Sequence, residues 1–256
     1  MVDSLLSYLP LILPFILVGF FAQLIDGALG MAYGVISSTF LMTLGVSPKA
    51  ASASVHAAET FTTAVSGVSH ILHRNIDWHL FLKLAVPGVT GGVAGAYLLS
   101  NLDGSTVKPY ILGYLTIIGL WLLWRSFGKI VEHDNPKIVA PLGFIGGFLD
   151  ASGGGGWGPV VTSNLLLQGS NPRTTIGTVN SVEFLLTLAI SVTFLLNLGW
   201  ETFTMATTGL LVGGVIAAPF GAILAKHIPS NRLMMLVGLV LTMTSSYGIA
   251  KSLNLL

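Results

Sequence analysis

The chain has 256 residues, of which 53% are hydrophobic and 8% charged, where a soluble domain carries roughly 25% charged residues. A mean hydropathy of +0.83 and apolar runs along the whole length put most of the outer surface in lipid, which excludes a soluble enzyme, a disordered chain and a secreted disulfide scaffold. The net charge of +1 gives nucleic acid no basic face to bind, and the absence of cysteine removes disulfides, thiolate metal sites and thiol nucleophiles.

Lipid offers no hydrogen-bond partner, so long unbroken apolar runs predict helices. In chain order they cover residues 5–24, 28–45, 51–72, 79–100, 107–127, 176–198, 203–225 and 232–253. Two shorter runs, 138–149 and 157–168, hold about a dozen residues each, below the ~17 needed to cross. They read as the arms of a re-entrant hairpin or of a broken helix. The first run has Asp3 as its only early charge and lacks the basic start of a cleavable signal, so it is expected to stay as a helix. Threading the runs alternately across the membrane gathers Arg74, Lys83, Arg125, Lys129, Lys137, Arg173, Lys226 and Arg232 on one side and Lys49, Lys108 and Lys251 on the other. The positive-inside rule makes the first side cytoplasmic and places both termini outside a bacterial-type inner membrane.

Compared with itself at an offset of 124, the chain aligns Asp26–Glu59 with Asp150–Glu183 without a gap. Asp26, Gly30, Gly34, Pro48 and Glu59 meet Asp150, Gly154, Gly158, Pro172 and Glu183; Tyr33 stands opposite Trp157, Lys49 opposite Arg173 and His56 opposite Asn180. Shared apolar composition does not match acids, prolines and glycines in register. The expected fold is therefore an all-α integral membrane bundle of two inverted repeats, 1–128 and 139–256, joined by a cytoplasmic linker at 129–138. Each repeat has one re-entrant or broken helix pair and about three full crossings. Inverted repeats with interrupted helices are characteristic of secondary transporters, whose site lies near the midplane where the repeats meet.

Glycine is over-used, with 31 residues, about 12% against a usual ~7%. In the stretch 150–159 (DASGGGGWGP), Gly153, Gly154, Gly155 and Gly156 ahead of Trp157 and Pro159 break any helix. Such a break is tolerated in a membrane only where protein or a water-filled cavity satisfies the backbone. Free N–H groups at the next helix start would suit an anion, with Ser152, Ser163, Asn164 and Asn180 adding polar contacts. Gly30, Tyr33, Ser38 and His56 are the first-half counterparts. The competing reading is that the glycines permit close helix packing. Asp26 and Asp150 either cap helix starts or line the site; Glu59 and Glu183, buried about two turns into their helices, are the candidates for proton coupling. His56, one turn before Glu59, is expected to bond locally rather than ligate a metal. Lys49 and Arg173 either attract an anion at each mouth or snorkel. No metal, cofactor or catalytic constellation is expected, so the chain does not read as an enzyme. The implied partners are a small anion, protons and the bilayer.

The segments 146–159 (GGFLDASGGGGWGP), 171–173 (NPR) and 176–184 (IGTVNSVEF) resemble the TauE/SafE family of sulfite exporters. The first half departs from the glycine run, with Gly27-Ala28-Leu29-Gly30-Met31-Ala32-Tyr33-Gly34. The resemblance implies a multi-pass permease for small sulfur-containing or organic anions such as sulfite, sulfoacetate or other sulfonates, with proton-coupled export by alternating access as the expected mechanism. An uncoupled anion channel and a carrier for a non-sulfur carboxylate remain the alternatives.

Overall fold

The computed structural model describes residues 2–29, 31–128, 136–168, 170–203, 205–227 and 230–253. Its elements are α1 (Val2–Leu29), α2 (Tyr33–Thr43), α3 (Pro48–Leu72), α4 (Trp78–Asn101), α5 (Gly104–Arg125), α6 (Val139–Gly153), a π-helical segment (Trp157–Thr162) running into α7 (Ser163–Leu167), α8 (Pro172–Leu198), a 3-10 turn (Trp200–Thr202), α9 (Met205–His227) and α10 (Ser230–Ser252). Among the described residues there is no strand. Three stretches of the described residues, Trp78–Asn101, Thr106–Arg125 and Thr174–Leu198, are long and apolar enough to cross a membrane.

The apolar run 28–45 does not form one span. Helix α1 ends at Leu29, Ala32 takes a left-handed φ of 103°, and α2 has 11 residues, about 16 Å at 1.5 Å per residue. That is roughly half the hydrocarbon thickness. Composition alone hides this break because its residues are apolar. The break is closed by a side chain instead, as the Tyr33 N–H donates to Asp26 Oδ1 at 3.2 Å. Gly30 lies outside the described residues, as does the linker from 129 to 135.

The short arms 138–149 and 157–168 form a hairpin. Its base is closed where the Lys137 N–H donates to Gln168 Oε1 at 2.6 Å, so the second arm returns to the level where the first began. The first half has the same shape, since Leu17, Val18 and Phe21 of α1 lie against Ile36 and Phe40 of α2.

The long helices pack in pairs: α1 on α9, α4 on α6, α5 on α10 and α3 on α8. Helices α3 and α8 run antiparallel, with the Thr60–Ser191 contact at 3.4 Å, Thr63–Thr187 at 3.5 Å and Asn180–Ser66 at 3.3 Å. The α4–α6 seam is built on glycine. A Cβ on Gly91 would overlap the Phe144 carbonyl, and one on Gly147 would overlap the Gly88 carbonyl. Much of the glycine surplus is therefore the close-packing device of membrane bundles.

Candidate functional site

The two hairpins touch each other in the middle of the bundle. Ser38 Oγ lies over Gly154, Gly34 meets Gly155, and Met31 meets Gly158. The turn of the second hairpin requires glycine at two positions, Gly154 with φ 73° and Gly155 with φ 145°. Here Gly153 and Gly156 pack on the Tyr114 ring and hydroxyl, so turn-making and close packing share the run. Tyr114 also donates to the Gly155 carbonyl at 3.2 Å.

Both hairpins are capped by the repeat-related aspartates, each reaching the residue seven positions on. Asp150 Oδ1 accepts from the Gly156 N–H at 2.8 Å and the Trp157 N–H at 2.9 Å, while Asp26 accepts from Tyr33. The capping role is thus realised for both acids, and these particular N–H groups are bonded to carboxylate rather than open. Asp150 also faces α3, where His56 Nε2 lies 3.0 Å from Oδ2 with both side chains buried. His56 makes the expected local bond, with Nδ1 2.7 Å from the Ser52 carbonyl, while its Nε2 pairs with a residue 94 positions away rather than with Glu59, a pairing that helix spacing does not reveal. Trp157 is fully buried and its indole N–H donates to the Val179 carbonyl at 3.2 Å.

Glu59 and Glu183 are buried. The Gly34 amide donates to the Glu59 carboxylate, and Glu59 Oε2 has no partner. The electrostatic fields of Asp26, Asp150 and Glu59 all reach Glu183. The four acids matched by the repeat therefore form one cluster. On the two arms, the buried hydroxyls of Ser37, Ser38 and Thr39 on α2 and Thr162 on the π-segment also lack partners.

Other expected residues stand elsewhere or are held differently. Ser152 bonds the Phe148 carbonyl of its own helix at 2.6 Å and lines an outer groove with Leu98, Leu102 and Tyr110, away from the hairpin contact. Asn164 bonds the Val160 carbonyl at 2.6 Å. The Ser163 hydroxyl rests on the Met31 sulfur at 3.6 Å. Asn180 gives its amide to Ser66 and leaves Oδ1 unpartnered. Lys49 Nζ donates to the Ser100 carbonyl at 2.8 Å, which ties it to the end of α4. The side chain of Arg173 lies outside the described residues. Sequence reasoning passed over Tyr114, which sits in an apolar helix without a signal of its own, and Ser52, whose hydroxyl donates to the Ala151 carbonyl at 2.7 Å. The i, i+4 spacing of Ser52 and His56 was available as a hint. Arg125 also reaches this region, its guanidinium donating to the Ser163 carbonyl at 3.4 Å.

The family model described as "Sulfite exporter TauE/SafE" matches residues 15–248. The chain belongs to the TauE/SafE family. As a TauE/SafE protein it is 44% identical over 233 residues to a Bacillus subtilis (strain 168) protein named "Probable membrane transporter protein YtnM", with 88% of this chain and 78% of that relative covered. No solved structure matches the chain. The TauE/SafE chain is thus a membrane transporter, and its acid cluster and hairpin contact lie inside the matched region.

Proposed function

We propose that this transporter is a secondary carrier for a small anion of the sulfite, sulfoacetate or sulfonate class, moving it outward together with protons by alternating access. The carrying observation is the meeting of two capped hairpins beside four carboxyls and unpartnered buried hydroxyls. A buried hydroxyl without a partner costs ~1–3 kcal/mol, so Ser38, which lies over Gly154, favours a polar occupant where the hairpins meet, and Ser37, Thr39 and Thr162 are further unpartnered hydroxyls on the same arms. An anion there faces carboxyls, whose negative charge opposes it unless protons enter too. Charge balance therefore ties anion binding to proton uptake, with Glu59 and Glu183 as the exchanging groups.

The reading places two inverted halves about the hairpin contact. Its support is the offset of 124, which carries α2 (Tyr33–Thr43) onto Trp157–Leu167 and the start of α3 (Pro48) onto that of α8 (Pro172). It is also supported by the antiparallel course of the matched helices α3 and α8, and by the reciprocal pairing of α1 with α9 and α6 with α4. Rocking one half against the other would expose the site to each side in turn. Lys49 and Arg173 stand at opposite mouths in this scheme, with both termini outside the cell membrane.

The test is flux in proteoliposomes loaded in turn with sulfite, a sulfonate and a carboxylate. A saturable flux of the sulfur anions driven by an imposed pH gradient is the expected result. Electrodiffusive current unaffected by the pH gradient would replace the carrier with a channel, and carboxylate preference would move the substrate class.

A further inference from the structure

We propose that His56 and Asp150 hold one shared proton, and that this proton latches the second hairpin onto α3 while, among the described residues, the first hairpin has no such latch. The assignment follows from the donors and acceptors around the ring. His56 Nδ1 lies 2.7 Å from the Ser52 carbonyl oxygen, which only accepts, so Nδ1 carries a hydrogen. The Ser52 hydroxyl spends its own hydrogen on the Ala151 carbonyl. With Nδ1 protonated, a neutral imidazole presents a lone pair at Nε2, and an ionised Asp150 presents lone pairs at Oδ2. At 3.0 Å those two atoms attract only with a proton between them. Imidazolium with carboxylate and imidazole with carboxylic acid are the two ways of writing the same shared proton.

The proton has leverage because Asp150 Oδ1 simultaneously caps Gly156 and Trp157. A single carboxyl thus joins α3, the end of α6 and the start of the π-segment. Removing the proton sets two acceptors against each other and turns the contact repulsive. The surroundings increase that effect: Glu59 on α3, Glu183 on α8 and Tyr114 on α5 face Asp150, and Asp26 on α1 and Tyr33 on α2 complete the cluster. For the first hairpin, the repeat mate of His56 is Asn180 on α8, which holds an amide in place of the imidazole and turns it to Ser66. Asp26 therefore caps its hairpin without a matching latch. Alkaline conditions should loosen residues 150–160 more than residues 26–36. Only what the latch controls rests on the carrier reading; the shared proton does not.

Asp150→Asn is the discriminating variant. Its Oδ1 still accepts from Gly156 and Trp157, and its amide donates to a neutral Nε2, so the geometry survives without the titrating proton. Two measurements on the full-length protein in lipid nanodiscs, with no substrate present, test the proposal. Nitrogen-15 histidine NMR, with the His56 signal identified by its loss in His56→Gln, should show Nδ1 protonated and Nε2 in a proton-sharing bond, with Nε2 becoming a bare acceptor in Asp150→Asn. Hydrogen–deuterium exchange, corrected for the intrinsic pH dependence, should speed up in 150–160 by roughly tenfold or more on alkalinisation, the effect of losing one hydrogen bond to a charged group. That increase should vanish in Asp150→Asn and in His56→Gln, whose amide also donates to Asp150. A wild-type His56 with bare Nδ1 or bare Nε2, equal loosening of both hairpins, or a pH response retained in Asp150→Asn would each overturn the latch. Loss of coupled flux with these signatures intact would instead count against the carrier.

Discussion

Gly91→Ala tests whether glycine contacts set the position of the second hairpin. A Cβ at residue 91 overlaps the Phe144 carbonyl, and a backbone atom has no rotamer by which to move aside. Overpacking of this kind costs ~1–3 kcal/mol, and the upper part of that range applies because α4 and α6 must separate. Helix propensity returns up to ~1 kcal/mol for Gly→Ala, which leaves a net loss of about 2 kcal/mol, or roughly 30-fold in the folded-to-unfolded ratio. Gly113→Ala is the matched control, since no atom lies within 4 Å of a Cβ there and the propensity gain stands alone. Denaturation in mixed micelles with increasing dodecyl sulfate, followed by the fluorescence of the five tryptophans, compares the two. Gly91→Ala should unfold well before wild type and Gly113→Ala at or after it. Because α6 carries Asp150, Gly91→Ala should also slow transport beyond its loss of folded protein. Equal stability of the two variants would refute the view that the seam is at contact distance.

Glu183→Gln should abolish the response of flux to a pH gradient while sparing anion binding; full coupling in this variant would remove Glu183 from the proton path. Ser38→Ala should weaken anion affinity without loss of thermal stability, because the hydroxyl it deletes is buried and unpartnered. Unchanged affinity would show that Ser38 faces no substrate. Gly154→Ala should be among the most damaging single substitutions, since the left-handed φ of 73° costs a non-glycine residue ~1–2 kcal/mol and the new Cβ presses on Ser38. A normal midpoint of unfolding for this variant would contradict the turn geometry. Tyr114→Phe removes the bond to the Gly155 carbonyl and should cost ~0.5–1.5 kcal/mol, read in the same micelle titration. No measurable loss would assign Tyr114 a packing role alone.

The parts of the fold that were legible in the sequence are those governed by local rules. Most long apolar runs became helices, the Gly153–Gly156 run became a turn, and the offset of 124 carries the bounds of α2 onto 157–167 and the start of α3 onto that of α8. The break at Ala32 was legible through the repeat but not through composition, because an alanine at positive φ leaves no compositional trace and Asp26 closes the break by accepting from the Tyr33 N–H seven positions on. For the candidate site, the repeat identified the four acids, and they do gather. What it did not reveal was orientation: Ser152 sits in the glycine-rich stretch yet turns outward, while His56 ignores Glu59 one turn away for Asp150 in the other half. Those outcomes depend on which helix faces lie against each other, a property of the packed bundle rather than of any one segment.

Where the two halves agree and differ is itself informative. Residues that do the same backbone work are repeated: Asp26 and Asp150 cap the residue seven positions on, and Thr63 meets its own mate Thr187 across α3 and α8. Several residues that hold the second hairpin from outside are not repeated. At an offset of 124, Ser52 faces Ile176 and His56 faces Asn180; at the offset of 126 that relates α5 to α10, Tyr114 faces Val240. None of the three mates can supply an imidazole or hydroxyl contact to the first hairpin. On the carrier reading, matched groups on both hairpins would give the two access states the same response to a proton. Here, among the described residues, the polar fastening of one hairpin has no copy on the other, so on the carrier reading the two access states would respond to a proton differently. On the carrier reading, the positions that break the repeat would bias which access state is populated at a given pH while the gradients set the net direction, and exchanging His56 and Asn180 tests that bias by moving the imidazole from one half to the other.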